Sequence, residues 1–346
     1  MEFFARYAEP LSAFSRFSKV LGARADYVQG GGGNTSAKLD GRLMAVKASG
    51  FLLRDITPDT AYAVLDYQAL RSFYGGHLAG DFPDVEAAGS AAAKEAVVAV
   101  KGLAPLRPSV EAGFHALLDR FVAHTHSVYA NLAACCRETG DILAQALGGA
   151  DYGFAVVPYV NPGPTLTFTI RDILEESGRP KVLVMQNHGV IVHEDQEEKC
   201  LHIHEDMNRR LAAFFGLKED AFPVARVKAQ GGGFVSDTPW LAQRLKGDSY
   251  PDKLLLDAPL YPDQMVFFRG TLGEAAVIDR ETGLAHYRLP ENTAVTLEET
   301  LCAVLFITQT IRERGYTLQT MGEAAQQFIG GWESEKYRKQ LSEGKA

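Results

Sequence analysis

His124-Thr125-His126 is the segment whose residue types and spacing speak most directly of chemistry. On a β-strand, residues i and i+2 project from one face. The two imidazoles would then stand side by side, placed to chelate one divalent ion. Zinc accepts such nitrogens at about 2.0–2.1 Å and wants at least one ligand more. His188 offers it, following the apolar run Val182–Met185 in a turn closed by Gly189. Strand ends are where ligands gather in open α/β sheets. Taken singly, each of these residues reads equally well as a buried or turn-capping histidine. His202-Ile203-His204 is an internal contrast, for it sits in a helical pattern. There, i and i+2 lie about 200° apart around the axis, so the rings diverge and read as ordinary helix residues.

Two further segments carry polar groups to element ends. Glu111 follows Pro108-Ser109-Val110 at a helix start, where the dipole favours a carboxylate. Spacing alone does not bring it to the histidines. His115, four residues on, shares its helix face and reads as a core or supporting residue. Gly30 to Gly33, then Asn34-Thr35-Ser36, is neither a Walker loop nor a dinucleotide fingerprint. Its backbone N–H groups and hydroxyls suit an anion or a plain turn equally. Ser49-Gly50 and Ser109 offer similar donors.

The elements that must position these groups alternate in type. Residues 10–22 (apolar at Leu11, Phe14, Phe17 and Leu21), 86–100, 110–119 and 195–215 predict helices. Leu43–Ala48, Phe121–Ser127 and Val182–Met185 predict strands. This alternation predicts an α/β layered core over residues 1–220. Composition shifts near 218–250, a glycine- and proline-bearing, charged stretch that reads as a linker or embellishment. Beyond it, Met265–Phe268, Ala275–Ile278 and Ala285–Arg288 predict short strands and Leu297–Arg312 a helix, an α+β extension over 221–346.

Composition bounds the partners. A net charge of −8 argues against a nucleic-acid surface, though not against a small anionic ligand met by local donors. No stretch of about 18 unbroken apolar residues occurs, so no membrane span is expected. The start of the chain lacks the pattern of a signal peptide. The four cysteines form no CxxC and predict reduced, buried thiols in a cytoplasmic protein.

In order, Gly33-Asn34-Thr35-Ser36, Ser49-Gly50, Pro108-Ser109-Val110-Glu111, His124-Thr125-His126 and Asn187-His188-Gly189 resemble the class II aldolase/adducin family. The longer strings Gly-Gly-Gly-Asn-Thr-Ser-Ala-Lys and Arg-Pro-Ser-Val-Glu look most like the aldolase part of bifunctional rhamnulose-1-phosphate aldolases, and the pattern is also similar to L-fuculose-phosphate aldolase. The resemblance implies a three-layer α/β/α domain with a mixed central sheet, usually a homotetramer with active sites between subunits. It implies Zn2+, or another divalent ion, on His124, His126 and His188, with Glu111 as acid/base. Gly33, Asn34, Ser49, Gly50 and Ser109 would hold a substrate phosphate. Pro158-Tyr159 and the threonine-rich stretch to Phe168 resemble a segment whose tyrosine serves a neighbouring subunit's site, although a loop tyrosine packed at an interface reads equally well.

The implied activity is cleavage of a ketose 1-phosphate of the deoxy-ketose type, through an enediolate, to dihydroxyacetone phosphate and an aldehyde. Two departures stand out. Val110 occupies a position where the fuculose enzyme has a second serine, and the extension lies outside the small aldolases. Three alternatives stay open. A pentulose-phosphate 4-epimerase would typically carry aspartate at position 111. A metal-dependent decarboxylase would suit the missing serine. A non-catalytic adducin-like interaction module would lack the histidines.

Overall fold

A computed structural model describes residues 2–218 and 220–331; the rest of the expected extension, 332–346, lies outside the described residues. Strands β1 (Asn34–Lys38), β2 (Leu43–Lys47), β3 (Tyr62–Asp66), β4 (Phe121–Thr125), β5 (Phe154–Val157), β6 (Val182–Met185) and β7 (Gly189–Glu194) form one sheet in the order β3-β2-β1-β4-β7-β6-β5. Neighbours are antiparallel except β5 and β6, which run parallel, so the sheet is mixed.

Side-chain alternation splits the apolar residues between two faces. Ala37, Ala45, Val64, Ala123 and Val192 pack on Phe14 and Phe17 of the Ala8–Gly22 helix and on Ile203 and Met207 of the Glu197–Phe214 helix. On the opposite face, Met44, Val46, Ala63 and Leu65 meet Leu70 and Tyr74 of the Tyr67–Gly76 helix. Beside them Val122, Leu183 and Ile191 meet Phe114 of the Ala112–Leu117 helix and Ile170 of the Pro164–Glu176 helix. The result is the expected three-layer α/β/α arrangement.

The extension brings a second sheet. β8 (Val227–Gln230), β9 (Gly233–Ser236), β10 (Ala276–Ile278) and β11 (Ala285–Tyr287) are ordered β10-β11-β9-β8. The β8–β9 hairpin and a Pro239–Leu245 helix occupy the stretch expected as a linker. Met265–Phe268 is helical, not a strand. A four-residue apolar run carries no period of its own, and Pro262 opens the Pro262–Phe268 helix with its φ already set for it. The Glu291–Glu313 helix is long and apolar enough to cross a membrane, yet 78% of its most apolar window is buried. It joins the main core, its Phe306 ring 6.3 Å from Tyr129 in the Val128–Ala134 helix. Glu298 ties it to the second sheet by accepting from Ser236 (2.6 Å) and Tyr287. All four cysteines are free and buried.

The loop before β1 closes tightly on β4. Gly33 has φ +66°, and a Cβ there would stand 2.5 Å from the His124 carbonyl oxygen. Gly33→Ala is expected to destabilise the protein by about 2 kcal/mol, since left-handed backbone and a steric clash act together. Thermal unfolding should show a melting temperature lower by several degrees; an unchanged midpoint would refute the close approach.

Candidate metal centre

His124 lies on β4 and His126 one residue past its end, and both rings point to one side while Thr125 points to the other. Thr125 is held there by His204, whose Nε2 is 2.8 Å from its Oγ1 and whose Nδ1 accepts from Asn208 (3.2 Å). Of the two histidines in the helical His-Ile-His, His204 thus braces the back of β4, and His202 is exposed. Burial lowers His204 to about 3, so it serves as a neutral hydrogen-bonding ring.

His188 arrives from the tight turn between β6 and β7. Its neighbour Asn187 takes the left-handed conformation (φ +51°), which asparagine tolerates better than most residues. The antiparallel register β4–β7, with Thr125 opposite Val190, brings this turn beside the end of β4. One ligand atom from each of His124, His126 and His188 lies within 4.8 Å of the others, and all three residues are buried. His124 Nδ1 donates to the Val190 carbonyl at 3.1 Å, leaving its Nε2 lone pair free. That Nε2 is 3.2 Å from the Nε2 of His126.

Glu111 sits at the mouth of the Ala112–Leu117 helix with its side chain turned away from the helix N–H groups. One carboxylate oxygen is 3.4 Å from His124 Nε2 and the other 3.4 Å from His188 Nε2. Asn34 pairs with His124 across β1 and β4, which puts both side chains on the same face. Its amide donates to Glu111 (2.6 Å) and Ser109 (3.1 Å). The amide oxygen accepts from His115 Nε2, whose Nδ1 lies 2.7 Å from Ser36 Oγ. His115 is thus a supporting residue, lowered by burial to about 3 and neutral.

The donor set fits a divalent cation. Burial, against the pull of Glu111, lowers His124 to about 4 and His188 to about 3, so both are neutral at pH 7 with lone pairs to give. Burial alone would raise Glu111, but the Asn34 amide and the charge that His124 and His188 take up in acid bring it down to about 2, so it is ionised at pH 7. One of its oxygens is buried without a hydrogen-bond partner among the described residues. A buried carboxylate facing neutral imidazoles calls for a positive charge where their nitrogens converge.

The donor side of the cleft forms at the end of β2. Backbone bonds from Ser49 to Arg107 (2.9 Å) and from Ser109 to Lys47 (3.1 Å) lay 107–109 beside 47–49. Gly33, Asn34, Ser49, Gly50 and Ser109 therefore line one cleft with Glu111, His126 and His188. Val110 lines it too, without a hydroxyl. Tyr159 does not line it; its hydroxyl is buried with no hydrogen-bond partner among the described residues.

Two charged lining residues escaped the sequence reading. Lys47, at the end of β2, lines the donor side, its Nζ 3.4 Å from the Gly31 carbonyl. Its strand position two residues before Ser49 was the available signal. Asp263, from the extension, hydrogen-bonds His126 Nδ1. It stands 137 residues further along the chain, and no motif links the two.

Residues 15–214, more than half of the chain, match the family described as Class II Aldolase and Adducin N-terminal domain. A Bacillus subtilis (strain 168) protein described as an uncharacterized oxidoreductase, YuxG, is 34% identical over 95 residues, 27% of this chain. The match covers only 13% of that relative's length. Among solved structures, the N-terminal class II aldolase domain of a conserved Thermoplasma acidophilum protein is 24% identical, with a TM-score of 0.49 over 58% of this chain and 91% of that one. An L-fuculose-1-phosphate aldolase from Thermus thermophilus is 17% identical, with a TM-score of 0.37 over 61% and 95%.

His124→Ala should abolish stoichiometric metal, because two remaining imidazoles chelate too weakly to survive dialysis. His202→Ala, removing an exposed histidine of the helical pair, should leave the metal in place. Elemental analysis after dialysis reads both, and unchanged metal in the His124 variant would refute the ligand set.

Proposed function

The chain belongs to the class II aldolase and adducin family, and on that premise we propose that it is a metal-dependent lyase, a zinc aldolase. Its substrate would be a ketose 1-phosphate of the deoxy-ketose type, cleaved to dihydroxyacetone phosphate and an aldehyde. One observation carries the reading: Glu111 reaches two of three converging imidazoles and shares a cleft with Asn34, Ser49 and Ser109.

His124, His126 and His188 would hold a zinc ion, which would supply Lewis acidity toward the oxygens of the substrate. The protein's own groups do the rest. Gly33, Asn34, Ser49, Gly50 and Ser109 direct donors at the phosphate, and Lys47 adds charge on the same side. That anchoring fixes the carbon chain against the histidines and lowers the entropic part of the barrier. Glu111 carries the proton at the carbon that loses its bond, with Asn34 setting the direction of its carboxylate. Tyr159 is proposed to exchange the proton of the cleaving hydroxyl in a neighbouring copy's site, within a homotetramer, taking it up as the aldehyde forms and returning it in the condensing direction. Its hydroxyl is buried in its own chain, so that role needs the Tyr159 loop to turn outward on assembly. The four free buried thiols fit a reducing, cytoplasmic setting.

Glutamate at position 111 favours the aldolase over the 4-epimerase, whose counterpart is typically aspartate. The three buried histidines, with Glu111 beside them, run against a non-catalytic module.

Glu111→Gln should retain zinc by elemental analysis and lose about 10²–10⁴-fold in cleavage rate, the usual share of a positioned acid/base. The assay is release of dihydroxyacetone phosphate from a panel of ketose 1-phosphates. Activity close to wild type in the variant would sink the role of Glu111; release from no member by the zinc-loaded wild type would sink the aldolase reading.

A further inference from the structure

We propose that Asp263, in the extension, is a positioning residue of the metal centre. Its carboxylate fixes the His126 ring with the Nδ1 proton turned inward and the Nε2 lone pair turned to the ion. The inference rests on the reading of His124, His126 and His188 as metal ligands.

Asp263 is fully buried at the start of the Pro262–Phe268 helix, and its Oδ2 makes a short hydrogen bond with His126 Nδ1. A carboxylate oxygen accepts where an imidazole N–H donates, so this pairing sets the imidazole proton on Nδ1. The other nitrogen, Nε2, is the one 3.2 Å from His124 Nε2, where the ligand atoms converge. A carboxylate behind a metal-binding imidazole fixes ring and tautomer and makes the free nitrogen a better donor.

Two independent features tie the extension to the same site. Gly32, in the glycine run, lies against it: a Cβ there would be 2.3 Å from Asp263 Oδ2 and 2.8 Å from His126 Nδ1. That glycine is needed to make room for the pair, whatever the run does for an anion. The stretch leading to Asp263 also grips the turn that carries His188, since the Leu260 carbonyl accepts from Asn187 Nδ2 at 2.9 Å. The Gln319 carbonyl accepts from the same amide, also at 2.9 Å. The extension therefore holds two of the three proposed ligands in place.

The test uses the full chain, stripped of metal and titrated with Co2+ by visible absorbance and with Zn2+ against a chromogenic chelator. Asp263→Asn keeps the shape and removes the charge. It should weaken both metals about 10–100-fold and change the cobalt spectrum, while the metal-free protein melts close to wild type. Wild-type affinity and spectrum in that variant would overturn the inference and leave the metal reading standing. Failure of the wild type to bind either metal, or binding unaffected by His124→Ala, would overturn the metal reading and this inference with it. A measurement on the unaltered protein guards against a variant that does not fold. Long-range proton–nitrogen NMR of the metal-free wild type should show His126 protonated on Nδ1, and a proton on Nε2 would overturn the proposal.

Discussion

The site turns on one electrostatic constraint: Glu111 is buried and ionised while His124 and His188 beside it are buried and neutral. A carboxylate removed from water loses several kcal/mol of solvation unless something replaces it. Here the Asn34 amide replaces part, at 2.6 Å, and one oxygen has no hydrogen-bond partner among the described residues. The imidazoles cannot supply the missing charge themselves, because burial keeps His124 and His188 unprotonated at pH 7. A cation at their meeting point satisfies the carboxylate and the lone pairs together. The surrounding architecture keeps that arrangement dry and fixed in direction. Asn34 is turned by His115, His115 is held by Ser36, and His124 is locked to the Val190 carbonyl.

Fixing three rings toward one point requires elements that cannot slide. Register does this on the sheet: a one-residue slip of β4 would turn His124 to the Ala8–Gly22 side and put Thr125 in its place. Thr125 is itself tied to His204 on that side, so the strand is pinned from both faces. The turn with His188 depends on a left-handed asparagine whose side chain is gripped from outside the sheet. The glycine run is held by the extension as well, Gly30 N–H donating to half-buried Glu299 at 3.0 Å. The extension thus reaches the site at Gly30 from the long apolar helix, at Asn187 from the Leu260 and Gln319 carbonyls and at His126 from Asp263, although the family match ends at residue 214.

What could be read in the residues follows how far apart in the chain the cause of each feature lies. The layered α/β core was legible because each strand and helix carries its own period, as in Leu11, Phe14, Phe17 and Leu21, and their burial follows from it. Met265–Phe268 misled because four apolar residues fit either period, and the deciding residue was Pro262 just upstream. The histidine cluster was legible as a pair at i and i+2 plus a turn histidine. That Glu111 belongs beside them was not, since only the Asn34–His124 pairing and the short 107–109 strip beside β2 place it there. Asp263 was invisible for the same reason at greater range, a buried carboxylate whose partner lies 137 residues back.

The two ends of the cleft are built on different principles, and this bears on recognition. At the histidine end every proposed ligand is buried, His124 and His126 are braced by hydrogen bonds of their own, and His188 is placed through its gripped neighbour Asn187, so geometry is strict. At the donor end, backbone and hydroxyl groups around Asn34, Ser49 and Ser109 lie beside Val110, which donates nothing. Lys47 supplies what Val110 lacks in a different form. An ammonium is a charge with little directional demand, whereas a hydroxyl prefers one acceptor geometry. An anion seated there would be held more by attraction than by orientation, and small changes in its position would cost little. Discrimination between substrates must then come from the strict end, where carbonyl and hydroxyl oxygens have to meet fixed nitrogens and Glu111 together. If the chain is the aldolase proposed above, it would tolerate variation in where the phosphate sits and select for the configuration of the carbons next to the bond that breaks.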